Sequence, residues 1–451
     1  MAIQVVILAA GVGKRMFSNL PKVLHLLAGK PLLSHVVQTA LTLSAEKPPI
    51  VVIGHQGEKI REVFSGHSLK WVEQKEQLGT GHALLQALPM IDEQDDVLVL
   101  YGDVPLVSLT TLQNLIETTQ KNALGMITAR LPNPFGYGRI KRDKNHKVVG
   151  IIEEKDTTEA ERTISEVNSG ICFLSAKWLQ KWLPVIENHN VQKEYYLTDV
   201  FRQAASEGVA IYTVQPPNIE EIFGVNDCVQ LAYLERYYQK EMANKWMRQG
   251  VTLHDPERID IRGDVKMGRD VVIDVNVILE GNIIIGNGCT IASNTILRNT
   301  ELGNQVVVHP HSVIDGAKIA DHCVIGPFAR IRPETVLADR VHVGNFVEIK
   351  KSQIGQSSKI NHLSYIGDSE VGKEVNIGAG TITCNYDGVN KHKTTIGDNA
   401  SIGSDTMLIA PVTVGEGATI GAGSVISENA PPNQLTLSRT RQVTVEGWKR
   451  K

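Results

Sequence analysis

The sequence predicts two domains of different fold class, an α/β domain followed by an all-β solenoid, joined by a long helix. Its 451 residues exceed what a single compact core usually holds. Short apolar runs alternate with helix-like segments in the first half, whereas apolar residues recur every six positions beyond about residue 259. The glycine content also changes, with 16 of the 39 glycines before residue 250 and 23 from residue 250 onward. We place the domains at residues 1–226 and 249–451, with a linker at 227–248.

The first half contains runs of strand length separated by segments with helical composition. Strands are expected at Ile3–Ala10, Ile50–Ile53, Val97–Leu100, Gly125–Ala129 and Ile171–Leu174. Helices are expected at Pro31–Leu43, Thr80–Ala87, Thr110–Lys121 and Thr198–Glu207. This alternation is typical of βαβ units and predicts a mostly parallel sheet. The next segment, Asp227–Arg248, has no internal Gly or Pro and precedes Gly250, so it predicts the helical linker.

The second half carries a six-residue apolar repeat. Its clearest ladder is Ile396, Ile402, Leu408, Val414, Ile420 and Ile426. This period predicts a hexapeptide β-solenoid with about 18 residues per coil, and therefore roughly nine or ten coils. The spacing breaks at Thr383–Lys393, where we expect a loop that leaves the solenoid and binds a ligand.

Composition excludes several functional classes. The net charge of −3 carries no basic field of the kind that binds nucleic acid or a membrane surface. No apolar run approaches the ~18 residues of a membrane span, and no signal peptide is evident. The five cysteines are scattered without a C-x-x-C pair, which argues against a disulfide framework or a zinc site. We expect a cytoplasmic protein whose cysteines are packing residues.

A glycine-rich turn follows the first strand, in the segment Leu8–Met16. Gly11 and Gly13 would let the backbone approach a phosphate, and a helix is expected directly afterwards with its N–H groups free. The dinucleotide and Walker patterns are both incomplete here, so a plain tight turn remains an alternative. Two cations close behind, Arg15 and Lys22, favour a triphosphate site.

Further polar residues lie near the predicted strand ends. Asp103 follows the strand Val97–Leu100, where it suits either a Mg²⁺ ion or a helix cap equally well. The segment from Gln74 to Gly81 is polar and glycine-rich, so its backbone groups are able to face a base.

Hexapeptide solenoids frequently serve acyl transfer to amines or hydroxyls, although the fold alone does not prove this activity. Transfer to an amine needs a base with a pKa near neutral, and histidine suits that role. Composition does not choose among the seven histidines beyond residue 250, which are His254, His309, His311, His322, His342, His362 and His392. His362 lies about one coil plus the insertion before Asn385–Gly388, and coils stack about 4.8 Å apart, so these two stretches are able to meet.

Seven motifs together carry a resemblance to a known family. They are L-A-A-G-x-G-x-R-M, P-K, Q-L-G-T-G-H-A, Y-G-D-V-P, G-Y-G-R-I, N-S-G-I and E-Y-Y-L-T-D, and a hexapeptide domain follows them. From residue 3 to about residue 441 the chain resembles the bacterial bifunctional N-acetylglucosamine-1-phosphate uridyltransferases/glucosamine-1-phosphate N-acetyltransferases. The resemblance implies a Rossmann-like nucleotidyltransferase domain and a left-handed parallel β-helix.

The resemblance also implies a uridylyl-transfer site that uses UTP and Mg²⁺. Arg15 and Lys22 would be catalytic, and Asp103 and Asn226 would hold the metal. Substrate contacts would come from Leu8, Ala9, Ala10, Gly11, Lys22, Gln74, Gly79, Thr80, Tyr101, Gly102, Asp103, Gly138, Glu153, Asn168, Thr198 and Asn226. The Ile151–Asp156 stretch leaves a choice of register between Glu153 and Glu154, and we take Glu153.

For the second site the resemblance implies that His362 accepts the proton of the amine, which attacks acetyl-CoA directly. Arg332 and Lys350 would bind the sugar phosphate, with Glu348 as a partner or a structural residue. Sugar and acetyl contacts would come from Tyr365, Asn376, Asn385 and Tyr386. Acetyl-CoA contacts would come from Ala379, Ser404, Ala422 and Arg439. The implied assembly is a homotrimer with this site at the subunit boundaries.

Two other functions are considered. One is a sugar-nucleotide pyrophosphorylase whose solenoid is non-catalytic, and the other is a regulatory subunit of a translation-factor exchange complex. The acetyl-site residues argue against the first, and the presence of Arg15, Lys22, Asp103 and Asn226 argues against the second. The sequence therefore predicts an enzyme that acetylates glucosamine-1-phosphate and then transfers UMP to the product, with small-molecule substrates and neither nucleic-acid nor membrane partners.

Overall fold

The computed structural model describes residues 2–44 and 46–450, which form two compact units, one up to Tyr238 and one from Gln239 onward. The first is an α/β unit and the second is a parallel β-helix, so the predicted fold class is confirmed. The long helix runs from Cys228 to Arg248, and the division between the units falls inside it. Within the described residues, no helix is both long and apolar enough to cross a membrane.

The first unit is built on a nine-stranded mixed sheet. The strands of this unit are β1 (Ile3–Ala9), β2 (Leu26–Leu27), β3 (Lys30–Pro31), β4 (Ile50–Ile53), β5 (Lys70–Glu73), β6 (Asp96–Tyr101), β7 (Leu124–Arg130), β8 (Gly138–Arg142), β9 (Val148–Ile152), β10 (Glu166–Ser175) and β11 (Ile211–Val214). The main path of the sheet is β11-β7-β10-β6-β1-β4-β5, and β8 links β10 to β9, whereas β2 and β3 form a separate pair. Strand β10 is antiparallel to both β6 and β7, while β1, β4, β5 and β6 are mutually parallel.

Helices cover both faces of this sheet. They are α1 (Leu32–Leu43), α2 (Gly57–Val63), α3 (Thr80–Ala87), α4 (Leu109–Thr118), α5 (Glu159–Arg162), α6 (Ala176–Trp182), α7 (Asp199–Ser206) and α8 (Cys228–Arg248). Successive residues of β1 enter two different cores, with Val5 and Ile7 in one and Val6 and Leu8 in the other. A strand buried on both faces reads as a continuous apolar run, and that is the pattern from which β1 was predicted.

The glycine-rich turn differs from the prediction. No α-helix follows it, because only a 3₁₀ turn forms at Lys14–Met16, and Phe17 ends this turn with a φ of 48°. The first α-helix begins at Leu32. This loop therefore does not offer a phosphate the backbone N–H groups of a long helix.

The second unit confirms the hexapeptide solenoid. The six residues of the predicted ladder are all buried, and none of them is more than 3% exposed. Parallel pairing joins residues 17 or 18 positions apart in most coils, such as Ile259 with Val277. The spacing increases at the predicted insertion, where Ser369 pairs with Thr394.

The solenoid strands form two long sheets in the described part of the chain. An 11-stranded sheet contains Thr252–Leu253, Val272–Ile273, Thr290–Ile291, Val307–Val308, Val324–Ile325, His342–Asn345, Lys359–His362, Asn376–Ile377, Ser401–Ile402, Thr419–Ile420 and Leu435–Thr436. A 17-stranded sheet contains Ile259–Met267, Val277–Ile285, Ile296–Arg298, Glu301–Leu302, Val313–Asp315, Lys318–Ile319, Arg330–Ile331, Val336–Leu337, Glu348–Lys350, Gln353–Ile354, Tyr365–Gly367, Ser369–Val371, Ile382–Cys384, Thr394–Ile396, Met407–Ile409, Val412–Val414 and Val425–Ile426. The eleven strands exceed the predicted nine or ten coils because pairing begins at Thr252, before the sequence period is visible.

All five cysteines are free thiols. Cys172, Cys289 and Cys323 are buried, and burial raises the pKa of the Cys172 thiol to about 12. The expectation of a packing role is wrong for Cys228, which is exposed at the first residue of α8.

Candidate active sites

The glycine turn and Asp103 meet at one edge of the first sheet. Strands β1 and β6 are parallel neighbours with Leu8 opposite Tyr101, so their carboxyl ends and the loops that follow them lie together. The Gly102 N–H donates to the Leu8 carbonyl at 2.9 Å, which holds the two loops against each other. Such an edge is the usual ligand-binding position of an α/β sheet.

Three predicted residues converge at this edge. The Lys22 ammonium forms an ion pair with the Asp103 carboxylate and lies 3.3 Å from the Asn226 amide oxygen. The backbone of each residue has its own hydrogen bond, because the Val225 N–H donates to the Asp103 backbone carbonyl and the Asn226 N–H donates to Gln230 Oε1. The two side-chain oxygens are brought together at the Lys22 ammonium.

The turn above Lys22 requires glycine. Gly13 has a φ of +66°, and a Cβ atom placed on it would lie 2.7 Å from the Cβ of Lys22. This close approach explains the second glycine of the motif, because any side chain would displace Lys22. Arg15 is exposed on the adjacent 3₁₀ turn, so its guanidinium is open to solvent.

The donor atoms at Asp103 and Asn226 suit a hard cation. A carboxylate and an amide oxygen are ligands that Mg²⁺ accepts, and with so few protein ligands the remaining ones would come from phosphates and water. The described residues contain no group of three His, Cys, Asp or Glu side chains that could hold a metal. The alternative role for Asp103, capping the next helix, does not apply, because Ser108 caps α4.

A polar cavity of 310 Å³, lined by Gly54 and Gln74, lies beside the turn. The buried Gln74 side chain donates to the Gly79 carbonyl at 3.1 Å and lies 3.0 Å from His82 Nδ1. Thr80 Oγ1 accepts from the Leu197 N–H at 3.1 Å, which ties the loop after β5 to the segment before α7. His82, which the sequence analysis did not assign, thus orients Gln74.

The predicted sugar contacts lie on three neighbouring strands. Gly138 and Asn168 are opposite each other in β8 and β10, and Glu153 directly follows β9. Glu153 Oε1 accepts from Thr198 Oγ1 at 2.9 Å, and both residues line a cavity of 220 Å³. A Cβ on Gly138 would lie 3.4 Å from Glu153 Oε2, so the missing side chain keeps this space open.

Glu153, which lines this cavity, and Tyr101 both have raised pKa values. Burial, and then the nearby carboxylates of Asp156 and Asp199, raises the pKa of Glu153 despite the Thr198 hydrogen bond. Burial likewise raises the pKa of Tyr101, so its phenol stays neutral. Glu154, the other choice of register, turns away and pairs with Arg139 at 2.7 Å.

In the second unit, His362 stands at one corner of the coil. His362 Nδ1 lies 3.0 Å from Asn345 Oδ1. Asn345 is the residue directly opposite His362 in the neighbouring strand of the preceding coil. An amide oxygen accepts a hydrogen bond from Nδ1–H, and in this tautomer Nε2 is the basic nitrogen. Asn345 was not assigned from the sequence, although its position 17 residues before His362 is one coil away.

The predicted acetyl-CoA residues continue up the same corner. The His362 carbonyl accepts from the Gly380 N–H, next to Ala379. In later coils the Ala379 carbonyl accepts from the Asp405 N–H at 2.7 Å and the Ser404 carbonyl from the Gly423 N–H at 2.7 Å. Arg439 Nη1 then donates to the Ala422 carbonyl at 2.9 Å. These residues therefore form one column along the solenoid, with the exposed Arg439 at its end.

A charged cluster lies around the neighbouring strands Glu348–Lys350 and Tyr365–Gly367, the second of which follows His362 in the chain. Arg332 Nη1 lies 2.8 Å from Glu348 Oε1, which gives Glu348 a partner among the phosphate-binding candidates. Lys350 Nζ is 3.7 Å from Asp368 Oδ2, and the Asn385 amide donates to the same carboxylate. Tyr365 Oη lies 3.5 Å from the Asn385 amide nitrogen.

Lys391 and Asp368 extend this cluster, and the sequence analysis assigned neither. Lys350 lowers the pKa of Lys391, since two ammonium groups lie side by side. Two adjacent cations with one carboxylate suit a phosphate. Asn376 and Tyr386 are exposed on the surface around the cluster.

The inserted loop is held by its own hydrogen bonds. Asp387 Oδ2 lies 2.7 Å from His392 Nε2, and Asp387 Oδ1 accepts from the Val389 and Asn390 N–H groups. These partners hold the pKa of Asp387 well below its usual range. The His392 N–H donates to the Asn385 carbonyl at 2.8 Å, so the loop fixes the backbone of Asn385.

Three family models match parts of the chain. They are the MobA-like NTP transferase domain at residues 5–151, the GMPPB C-terminal domain at 257–354 and the bacterial transferase hexapeptide (six repeats) at 393–428. Among solved structures, a UDP-glucose pyrophosphorylase covers 53% of this chain and 100% of its own, with 16% identity and a TM-score of 0.46, a likeness too distant to support any detail.

Two curated relatives match nearly the whole chain. The bifunctional protein GlmU of Nitrosospira multiformis is 53% identical over 449 residues, which cover 99% of this chain and 97% of the relative. The bifunctional protein GlmU of Cupriavidus pinatubonensis is 51% identical over 446 residues, which cover 99% and 98%. The chain therefore belongs to the GlmU family of bifunctional enzymes, which combine uridylyltransferase and glucosamine-1-phosphate N-acetyltransferase activities.

Proposed function

We propose that the two clusters described above perform the two reactions of this enzyme, each within its own unit. The solenoid unit would acetylate glucosamine-1-phosphate from acetyl-CoA. The α/β unit would then transfer UMP from UTP to N-acetylglucosamine-1-phosphate and release pyrophosphate. One observation carries this assignment. The chain holds both the Lys22–Asp103 cluster at an edge of the first sheet and, at a corner of the solenoid, His362 with its partner Asn345.

In uridylyl transfer, a phosphate oxygen of the sugar attacks the α-phosphorus of UTP in line with the departing pyrophosphate. The protein needs no nucleophile of its own, because positioning and charge neutralisation supply the rate. Arg15 and Lys22 would bind the triphosphate. Gln74, Gly79 and Thr80 would hold the uridine, together with Leu8, Ala9, Ala10 and Gly11. The sugar phosphate would be held by Tyr101, Gly102, Gly138, Glu153, Asn168 and Thr198.

Asp103 and Asn226 would bind Mg²⁺, which supplies further neutralisation of the phosphate charge when it is bound. Their oxygens lie near one point, the Lys22 ammonium, and backbone hydrogen bonds fix both residues. These two features support the assignment.

In acetyl transfer, the 2-amino group of the sugar attacks the thioester carbonyl and the thiolate of coenzyme A leaves. His362 Nε2 would take the proton of the amine, with Asn345 holding the ring in position. Arg332 and Lys350 would bind the phosphate, and Tyr365, Asn376, Asn385 and Tyr386 would surround the sugar and acetyl groups. Ala379, Ser404, Ala422 and Arg439 would line the acetyl-CoA site along their column.

We further propose that the chain self-associates as a homotrimer around this site. Phe328 and Phe346 stack at 5.3 Å and are 47% and 54% exposed, and the next residue of their column, Leu363, is 63% exposed. An exposed apolar column beside His362 suits contact with a second copy of the chain. Sedimentation velocity tests this, and a monomer at assay concentration would contradict it. A cytoplasmic location stays a prediction of the sequence.

One assay tests the assignment of both reactions. The full chain is incubated with glucosamine-1-phosphate, acetyl-CoA, UTP and Mg²⁺, and each component is omitted in turn. We expect omission of acetyl-CoA to stop pyrophosphate release until N-acetylglucosamine-1-phosphate is added. Unchanged pyrophosphate release without acetyl-CoA would show that the solenoid does not supply the substrate.

A further inference from the structure

An ion pair with a buried guanidinium lies next to the proposed sugar contacts of the α/β unit. Arg139 is only 2% exposed, and its Nη2 lies 2.7 Å from Glu154 Oε2. Its Nη1 donates to the Tyr137 carbonyl, whereas its Nε is buried and has no hydrogen-bond partner in the described part of the chain. A guanidinium buried to this degree with an incomplete set of partners is unusual.

The pair lies in the middle of the three strands that carry the sugar contacts. The backbone of Arg139 in β8 is opposite Val167 in β10 and Ile152 in β9. Each of these three residues has a proposed sugar contact as its direct chain neighbour, and the three contacts are Gly138, Asn168 and Glu153. A shift of Arg139 therefore moves all three contacts.

The Glu154 carboxylate that pairs with Arg139 also holds the turn before β8. Its Oε2 also accepts from the Gly136 N–H at 3.1 Å. One carboxylate thus joins the turn before β8, the guanidinium inside β8 and the end of β9. Glu153, the adjacent residue, points to Thr198 instead.

Stability alone does not account for this pair. The Arg139 side chain is 2% exposed and that of Glu154 is 21% exposed. Removing the guanidinium from water offsets much of the attraction within the pair, and well-packed apolar residues are often equally stabilising at such positions. Fixing a unique geometry is the better-attested use of a buried ion pair.

We infer that Arg139 and Glu154 are positioning residues that fix Gly138, Glu153 and Asn168 for the amino-sugar phosphate. This inference rests on the proposed assignment of the sugar contacts. Because the pair does not touch the base pocket at Gln74, its effect should fall on the sugar phosphate and not on UTP. Separate KM values for the two substrates therefore report on the inference.

The test is the double variant Arg139→Met/Glu154→Met in the full chain, assayed by pyrophosphate release. We expect the KM for N-acetylglucosamine-1-phosphate to rise about tenfold or more, as small misplacements of contacts do. The KM for UTP should stay within about twofold, and a cooperative thermal transition should show that the variant is folded. Lys141→Met is the matched control, since it breaks the ion pair between the exposed Lys141 of β8 and Glu161 of α5 (3.2 Å) and should change neither KM.

Three results would overturn the inference. An unchanged sugar-phosphate KM in a folded double variant would show that the pair positions nothing. An equal rise in both KM values would indicate general damage to the unit. If the double variant does not fold, Glu154→Asp replaces it, and a KM for the sugar phosphate equal to that of the wild type would be decisive against the inference. Absence of sugar-dependent pyrophosphate release in the wild type itself would instead overturn the proposed function.

Discussion

The ion pair between Lys22 and Asp103 predicts that removing the lysine tightens metal binding. In the free protein the Lys22 ammonium lies against both oxygens that we assign to Mg²⁺. A divalent cation must therefore displace this ammonium, whereas a bound triphosphate would draw it away. We expect Lys22→Met to bind the metal more tightly in the absence of UTP, although the variant loses uridylyl transfer.

The structure sets the size of this effect. The Lys22 and Asp103 side chains are 11% and 18% exposed, so the pair is neither fully screened nor fully buried. At an effective dielectric constant of about 20, two charges about 4 Å apart attract by about 4 kcal/mol. Desolvation of both groups offsets much of this attraction. A remaining free energy of about 1.4 kcal/mol corresponds to tenfold tighter binding, which is the smallest increase that we expect.

Binding of Mn²⁺, which also prefers oxygen ligands, is measured by electron paramagnetic resonance without nucleotide. Lys14→Met is the matched control, because Lys14 is an exposed cation of the same loop, and its loss should change the affinity by less than about twofold. Equal affinities of wild type and Lys22→Met would refute the competition. If Asp103→Asn left Mn²⁺ binding unchanged, the assignment of the metal site itself would be wrong.

Three further predictions address other parts of the two sites. His362→Ala should lower acetyl transfer by about 10²–10⁴-fold, as loss of a general base does, and leave uridylyl transfer within twofold, both followed by product release; equal loss of both would contradict separate sites. Gly13→Ala should reduce uridylyl transfer by at least about tenfold but spare acetyl transfer, because its Cβ would lie 2.7 Å from the Cβ of Lys22; unchanged kinetics would show that the turn tolerates a side chain. Burial raises the pKa of Glu153, so the folded state binds its proton more tightly than the unfolded chain and loses stability as pH rises through that pKa. Glu153→Gln should therefore raise the thermal midpoint more at pH 8 than at pH 5, and an equal effect at both pH values would contradict a raised pKa.

Periodic patterns predicted the fold well. The six-residue ladder of the solenoid is buried throughout, because one apolar side chain per hexad points into the coil whatever the rest of the sequence does. The β1 run was equally clear, since both of its faces are covered. Strand β5 was missed because Lys70–Glu73 is a mixed, half-exposed segment without an apolar run.

The antiparallel β8–β9 hairpin was also missed, since it lies beside the main sheet and contains charged residues such as Lys141 and Arg142. The expected helix after the glycine turn was wrong for a local reason. The chain leaves the helical region at Phe17, four residues before Pro21.

Motifs supplied candidates for the residues that touch substrate, and these stay predictions, but motifs supplied no candidates such as Asn345 and Asp368 that orient them. Asn345 meets His362, and Asp368 meets Asn385, only because one coil stacks on the next, since each pair is 17 residues apart. The choice between Glu153 and Glu154 depends in the same way on tertiary contacts, with Thr198 for one and Arg139 for the other. Such contacts are set by packing, and a linear pattern does not encode them.

The central claim is that one chain carries two independent sites for successive reactions. It is tested most directly by mixing equal amounts of His362→Ala and Lys22→Met proteins with glucosamine-1-phosphate, acetyl-CoA, UTP and Mg²⁺. We expect neither variant alone to form UDP-N-acetylglucosamine at an appreciable rate, and the mixture to form it, because each protein keeps the reaction that the other has lost. A mixture that stays inactive, although each variant retains its own half-reaction, would contradict the claim.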